Sequence, residues 1–252
     1  MAVNENLGYF FCFRNPKHKG QNITVLLRKL HIPAHEYKGL RLEEESQSIT
    51  EDTRDYGEWN YFEPADENEE ALSYLEARLF LNPLEIARRF NLRVSKQGHW
   101  CGRLLIPLTI GWTGRAMREH LTLRYDAYTS EEGFYLFKQH SSSCVLQEGA
   151  LDCIRIASVS TQFDVVGKCR MALSPAILAY LREANYDTIY HAPDATVPYS
   201  IAHAEKLLVK SYCVNSDVVS LVPPTGKKDF CAGTESAVRQ VLSTLGAERV
   251  RA

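Results

Sequence analysis

After Cys144 the chain alternates short apolar runs with amphipathic stretches, and that alternation leaves few folds open. Cys144 to Gln147, Phe163 to Val166, Thr188 to His191 and Asp217 to Leu221 read as strands, the last a core strand. Between and after them, Ala150 to Val159, Ser174-Pro175 to about Ala184, Ile201 to Ser211 and Glu235 to Leu245 carry helical spacing. Strands that alternate with helices predict a mainly parallel sheet with helices on both faces, an α/β fold.

Within it, Val145-Leu146-Gln147-Glu148-Gly149-Ala150-Leu151-Asp152 carries the most chemistry. The strand would deliver Glu148 to its C-terminal tip, and Gly149 would permit a tight turn and a close backbone approach. Asp152 would sit one turn into the following helix. Two carboxylates at that edge, where open α/β sheets bind ligands, suit a hard divalent cation such as Mg2+. A surface glutamate and a helix-start aspartate account for this stretch equally well. The strand Thr188 to His191 ends near a further acid, Asp194, again ahead of a helix.

Composition narrows the partners. The chain has 252 residues, 45% hydrophobic and 24% charged, enough for a sizeable core. No apolar run is long enough for a membrane span, and the first residues lack a leader pattern. The seven cysteines, at 12, 101, 144, 153, 169, 213 and 231, form no C-x-x-C pair, which fits reduced thiols in a cytoplasm. The net charge of -2 hides an asymmetry: residues 43 to 70 hold twelve acids and one base. The rest has 28 Lys and Arg against 19 Asp and Glu, a surplus of nine positive charges, compatible with a polyanionic partner. No Walker P-loop and no G-x-G-x-x-G is present, so an ATP-driven helicase is not expected within this chain.

Ahead of Cys144, residues 1 to 40 form an aromatic and basic unit, with a strand over Gly8 to Phe13 and a helix from about Asn22 to Leu30. Residues 41 to 67 read as an acidic linker or mobile loop. Helices follow over Glu69 to Phe80 and from the cap Asn82-Pro83-Leu84-Glu85 to about Phe90. Strands are expected over Leu104 to Leu108 and Thr109 to Thr113.

In their order and spacing these motifs resemble the TOPRIM fold shared by bacterial-type primases, topoisomerases and several nucleases, whose signature is a strand-end Glu-Gly followed by Asp-x-Asp. More narrowly, the chain is similar to bacterial, phage and plasmid DNA primases. Gly102-Arg103-Leu104-Leu105-Ile106-Pro107, then Gly111-Trp112-Thr113-Gly114-Arg115, then Leu123-Arg124-Tyr125 resemble the segment ahead of the TOPRIM domain. The resemblance covers residues 99 to 230, and with the composition shifts ahead of it the chain is expected to divide into a remnant zinc-ribbon-like unit at 1–40, an acidic linker at 41–67, a primase-core subdomain at 68–140 and a TOPRIM domain at 141–252. It implies catalytic roles for Glu148, Asp152 and Asp194, and Mg2+ or Mn2+ at Glu148, Asp194 and Asp229. It also implies nucleic-acid or nucleotide contacts by Arg103, Arg115, Arg124 and Lys138, the arginines through forked, always-charged donors.

The departures from that pattern are specific. The second Asp of Asp-x-Asp is Thr196, or, with a two-residue slip, Ala192 replaces the first. Gly226-Lys227-Lys228-Asp229 keeps one acid where primases tend to have two. Cys12-Phe13-Arg14-Asn15-Pro16-Lys17-His18 resembles half of a primase zinc ribbon, with Cys12 and His18 at ligand places and no upstream pair, so a zinc-free remnant is expected. Its aromatic and basic residues suit either single-stranded DNA or the unit's own core.

The resemblance implies synthesis of short RNA primers from ribonucleotides on single-stranded DNA, in a phage, plasmid or other mobile element, with a helicase or replication initiator as a separate partner. A catalytically degenerate accessory module that binds DNA or a replication protein is the close alternative, and a TOPRIM nuclease the third. The acidic segment is expected to cover the basic face when DNA is absent.

Overall fold

The structure, a computed structural model, describes residues 2–4, 9–11, 19–20, 58–129, 133–170 and 172–249. The chain divides into two compact units, Met1–Thr53 and Arg54–Ala252. In the first, β1 (Ala2–Asn4), β2 (Tyr9–Phe11) and β3 (Lys19–Gly20) form a small antiparallel sheet. Cys12, His18 and the helix expected over 22 to 30 lie outside the described residues.

The second unit holds two five-stranded sheets. The first is antiparallel, in the order β4 (Glu63–Pro64), β5 (Arg93–Val94), β6 (Arg103–Pro107), β7 (Trp112–Ala116) and β8 (Tyr125–Tyr128). Helices α1 (Glu69–Ala77) and α2 (Pro83–Arg89) start where the sequence places them. Asn68 and Asn82 accept the capping N–H groups of Ala71 and Glu85, and Pro83 opens α2. Helix α1 ends three residues short of Phe80, because Leu79 takes a left-handed backbone with φ 65°.

Two strand expectations shift. The strand expected over Thr109 to Thr113 begins at Trp112, and Gly111 turns the hairpin with φ 73°. A Cβ at Gly111 would lie 1.8 Å from the Tyr128 carbonyl oxygen, so only glycine fits. Residues 59–67, inside the segment expected to be a linker, are ordered: two 3-10 turns flank β4. Asp66 and Glu70 pair with Arg88 and Arg118, and Glu63 pairs with Lys96 at 2.7 Å.

The second sheet is the alternating half of the sequence. Its order is β13 (Asp217–Ser220), β12 (Thr188–Ala192), β10 (Ser143–Gln147), β11 (Asp164–Gly167) and β9 (Tyr135–Phe137), parallel except for β9. Strand β10 is central and fully buried, which explains a run with no polar alternation. Its side chains alternate between two cores. Val145, with Val165, Tyr190 and Ala192, packs against α3 (Ala150–Val159) and α6 (Glu235–Arg249). Cys144 and Leu146, with Val166 and Ile189, pack against α4 (Pro175–Ala184) and Val209 of α5 (Tyr199–Tyr212). Strand β13, expected in the core, stands at the sheet edge with Asp217, Val219 and Ser220 exposed.

One polar group joins these layers. Arg155 on α3 is fully buried, with its guanidinium 3.9 Å from the Phe80 ring centroid. It donates to the Arg78 carbonyl at 2.6 Å and reaches Glu235 of α6 at 3.3 Å. Glu235 also accepts the Leu81 N–H. Arg155→Met keeps volume but strands the Arg78 carbonyl and the mostly buried Glu235. A loss of about 3 kcal/mol in urea unfolding is expected, and an unchanged midpoint would contradict this role.

Candidate functional site

Parallel pairing decides which acids meet. Gln147 of β10 stands beside Ala192 of β12 and Gly167 of β11, so the loops after all three strands leave one edge together. Glu148 follows β10, and Asp194 lies two residues past β12. The Lys168 and Cys169 N–H groups bond the carbonyls of Gln147 and Glu148, each at 2.8 Å, and fix the third loop beside them. The Ala195 N–H donates to the Lys228 carbonyl at 2.7 Å, which ties the Asp194 loop to the Lys228-Asp229 turn.

The result is a cavity of about 350 Å³ lined by four acids, Glu148, Asp152, Asp194 and Asp229, and four cations, Arg78, Arg124, Arg170 and Lys228. Thr113, Tyr125 and Cys169 complete much of its wall. Gly149 has an extended backbone (φ -103°, ψ 146°) that any residue adopts, so the turn does not require glycine. Space does. A Cβ there would meet Asp152 Oδ2 at 2.7 Å.

Asp152 is buried, and its Oδ1 accepts the Cys231 N–H at 2.8 Å. Loss of water raises its pKa to about 7, Asp229 adds to the rise, and the Cys231 N–H opposes it. Asp194 rises to about 6, first by burial and then by the fields of Glu148 and Asp229, against Lys228 and Lys168. Asp229 is buried, accepts the Ala232 N–H at 2.7 Å and stands 3.4 Å from Lys228 Nζ.

Two groups at the cavity stay open: Asp194 Oδ1 and Arg78 Nε are buried with no hydrogen-bond partner among the described residues. An unpartnered carboxylate oxygen beside Glu148 fits a hard cation held by one or two carboxylates. Among the described residues, no three His, Cys, Asp or Glu side chains form a group ready to hold a metal ion.

The expected basic residues separate. Arg124 is exposed and lines the cavity. Arg103 is buried and donates to the backbone carbonyls of Gly114 and Leu123, so it braces the loop that carries Arg124. Arg115 is buried behind the cavity wall, with Nε on the Tyr74 hydroxyl at 2.8 Å and its guanidinium over the Tyr125 ring. Lys138 is exposed over Tyr180 and is not part of this lining. Thr196 is exposed and also outside the lining, whereas Ala192 is fully buried at the last paired position of β12. Sequence reasoning missed Arg78, Arg170 and the charge of Lys228. A basic pair after a strand, Lys168 and Arg170, was the available signal for Arg170. Arg78 gave none.

No known family's sequence profile matches the chain, and no curated protein matches it. Solved structures do. The Aquifex aeolicus primase zinc-binding and RNA polymerase domains align over 77% of this chain at 18% identity and TM-score 0.56. The E. coli primase catalytic core aligns over 74% of this chain and 77% of its own at 13% identity, TM-score 0.56. The fold is that of a DnaG primase catalytic domain, with its TOPRIM sheet. A DnaG primase catalytic domain bound to ssDNA aligns over 74% of this chain and 75% of its own at 12% identity, TM-score 0.54. The chain spans 57% of the Aquifex protein's solved length. Among the described residues, no helix is long and apolar enough to cross a membrane.

The raised carboxyl of Asp152 has a signed consequence. Between an unfolded pKa near 3.8 and a folded value of about 7, the folded state binds more protons, so stability falls as pH rises through that window. Thermal melts should show a falling Tm from about pH 4 to pH 7, with a shallower slope in Asp152→Asn. Equal slopes in the two proteins would show that the buried carboxyl is not the source. Gly149→Ala should displace the Asp152 carboxylate, visible as a change in that pH slope.

Proposed function

We propose that this protein is a primase-type nucleotidyltransferase, joining ribonucleotides on single-stranded DNA with a divalent metal. One observation carries the reading: Glu148, Asp152, Asp194 and Asp229 meet Arg78, Arg124 and Lys228 in one cavity at the carboxyl edge of the parallel sheet. The primase-core fold and the basic balance outside residues 43 to 70 support it. Glu148 and Asp194 would hold a Mg2+ or Mn2+ ion, which when bound neutralises phosphate charge and lowers the pKa of a coordinated hydroxyl. The chain's own groups do the rest. Arg124 and Lys228 position phosphates, and Asp152 holds a proton within the cavity near neutral pH. Catalysis of this kind is mostly positioning and charge stabilisation. A phage or other mobile-element setting, with a helicase or initiator as partner, belongs to the same reading.

The accessory-module reading is favoured by a specific feature, the lack of a ready three-ligand metal group among the described residues. Primer synthesis separates the two. With single-stranded DNA, labelled ribonucleotides and Mg2+ or Mn2+, the wild type should yield short products. Glu148→Gln should lower the yield by about 100-fold or more. DNA binding without product in the wild type would instead establish a non-catalytic module, and shortened DNA a nuclease.

A further inference from the structure

We infer that this cavity supplies its own counter-charge to a nucleoside triphosphate, with Lys228, Arg124 and Arg78 taking phosphate oxygens where a second divalent cation would otherwise stand. The inference rests on the polymerase reading only for the identity of the ligand.

Charge balance is the first ground. Two divalent cations bring four positive charges and need a surplus of carboxylates. Here four protein cations already face four acids. Donor occupancy is the second. Asp152 and Asp229 each spend one carboxylate oxygen on a backbone N–H, and Lys228 stands at the other oxygen of Asp229. Among the described residues, Asp194 alone of the four acids has a fully buried carboxylate oxygen without a partner, and it faces the field of Glu148, so the single hard cation is placed there.

Placement is the third ground. Ala192 gives the end of β12 no ligand, and Thr196 is exposed and outside the cavity lining. The lysine lies next to the resulting gap, because its carbonyl holds the Ala195 N–H, one residue beyond Asp194. The Lys228 backbone is therefore tied to the Asp194 loop. Its side chain is about half exposed at 48%, so its ammonium remains open to a ligand. Across the cavity, Arg78 offers a buried Nε without a partner, and Arg124 is exposed. Forked guanidinium groups and an ammonium together match the non-bridging oxygens of a phosphate chain.

The test is calorimetric binding of ATP to the full chain in EDTA and again in Mg2+, with inorganic tripolyphosphate as competitor. ATP should bind in EDTA, and tripolyphosphate should displace it. Lys228→Gln should weaken binding in EDTA by about tenfold, Lys228→Arg should retain it, and added Mg2+ should recover part of the Gln variant's loss. Melting curves check that each variant folds. Mn2+ titration read by electron paramagnetic resonance should count one ion per chain, lost in Asp194→Asn. ATP binding that appears only with Mg2+, a Lys228→Gln protein that binds as wild type, or two Mn2+ ions at the cavity would overturn the inference. Single-stranded DNA that displaces ATP competitively would assign these cations to strand phosphates and overturn the nucleotide assignment. A protein that binds ATP in EDTA but makes no primer keeps the inference and fails the polymerase reading. One that makes primer but binds ATP only with Mg2+ does the reverse.

Discussion

The buried guanidinium of Arg155 is the contact on which the rest of the larger unit depends. It belongs to the same helix as Asp152, donates to the carbonyl of Arg78 and is countered by Glu235 at the start of the last helix. Two elements that line the acid cavity, and the last helix packed behind them, thus meet at one side chain with no solvent exposure. Replacing such a pair with apolar residues often costs little stability. An apolar contact, however, would not aim a donor at one particular carbonyl. The hydrogen bond at Arg78 fixes the end of α1, and the Arg78 side chain then enters the cavity.

The parallel register performs the complementary task on the other side. Because Gln147 pairs with both Gly167 and Ala192, the following residues leave the sheet at the same height. Acids separated by more than forty residues in sequence become neighbours, and burial, with their mutual repulsion added, raises both Asp152 and Asp194. A fold that places carboxyls this way sacrifices stability at neutral pH. Lys228, Arg78 and Arg124 reduce that cost by placing positive charge in the same cavity, and the same charges are what a phosphate chain would meet.

Hydrophobic periodicity exposed the sheet order's raw material, because β10, β11 and β12 are buried on both faces and read as continuous apolar runs. Glu148, Asp152 and Asp194 were legible for a related reason: each lies within one turn or two residues of an element boundary that the periodicity marks, whereas Asp229, in the loop between β13 and α6, was legible only through the resemblance. The arginines were not. Arg103, Arg115 and Arg124 have the same chemistry in sequence, yet two are buried on backbone and tyrosine partners and one faces the cavity. Only tertiary packing separates them. Strand β13 misled because its valines look like core residues, and no local signal reports that it stands at the sheet edge. Gly149 was legible as a close-approach residue, but the approach is to a side chain and not to a strained turn.

The acidic segment changes how the charge asymmetry should be read. Glu63, Asp66 and Glu70 are engaged by Lys96, Arg88 and Arg118, within the same unit. Each exposed pair contributes little to stability, but each also places a negative charge beside a cation that would otherwise attract a polyanion. Part of the positive surplus calculated outside residues 43 to 70 is therefore met locally by the segment's second half. Among the described residues, Arg124 and Lys228 place positive charge at the acid cavity, Lys228 at 3.4 Å from Asp229. A phosphate entering that cavity would meet both carboxylates and fixed cations.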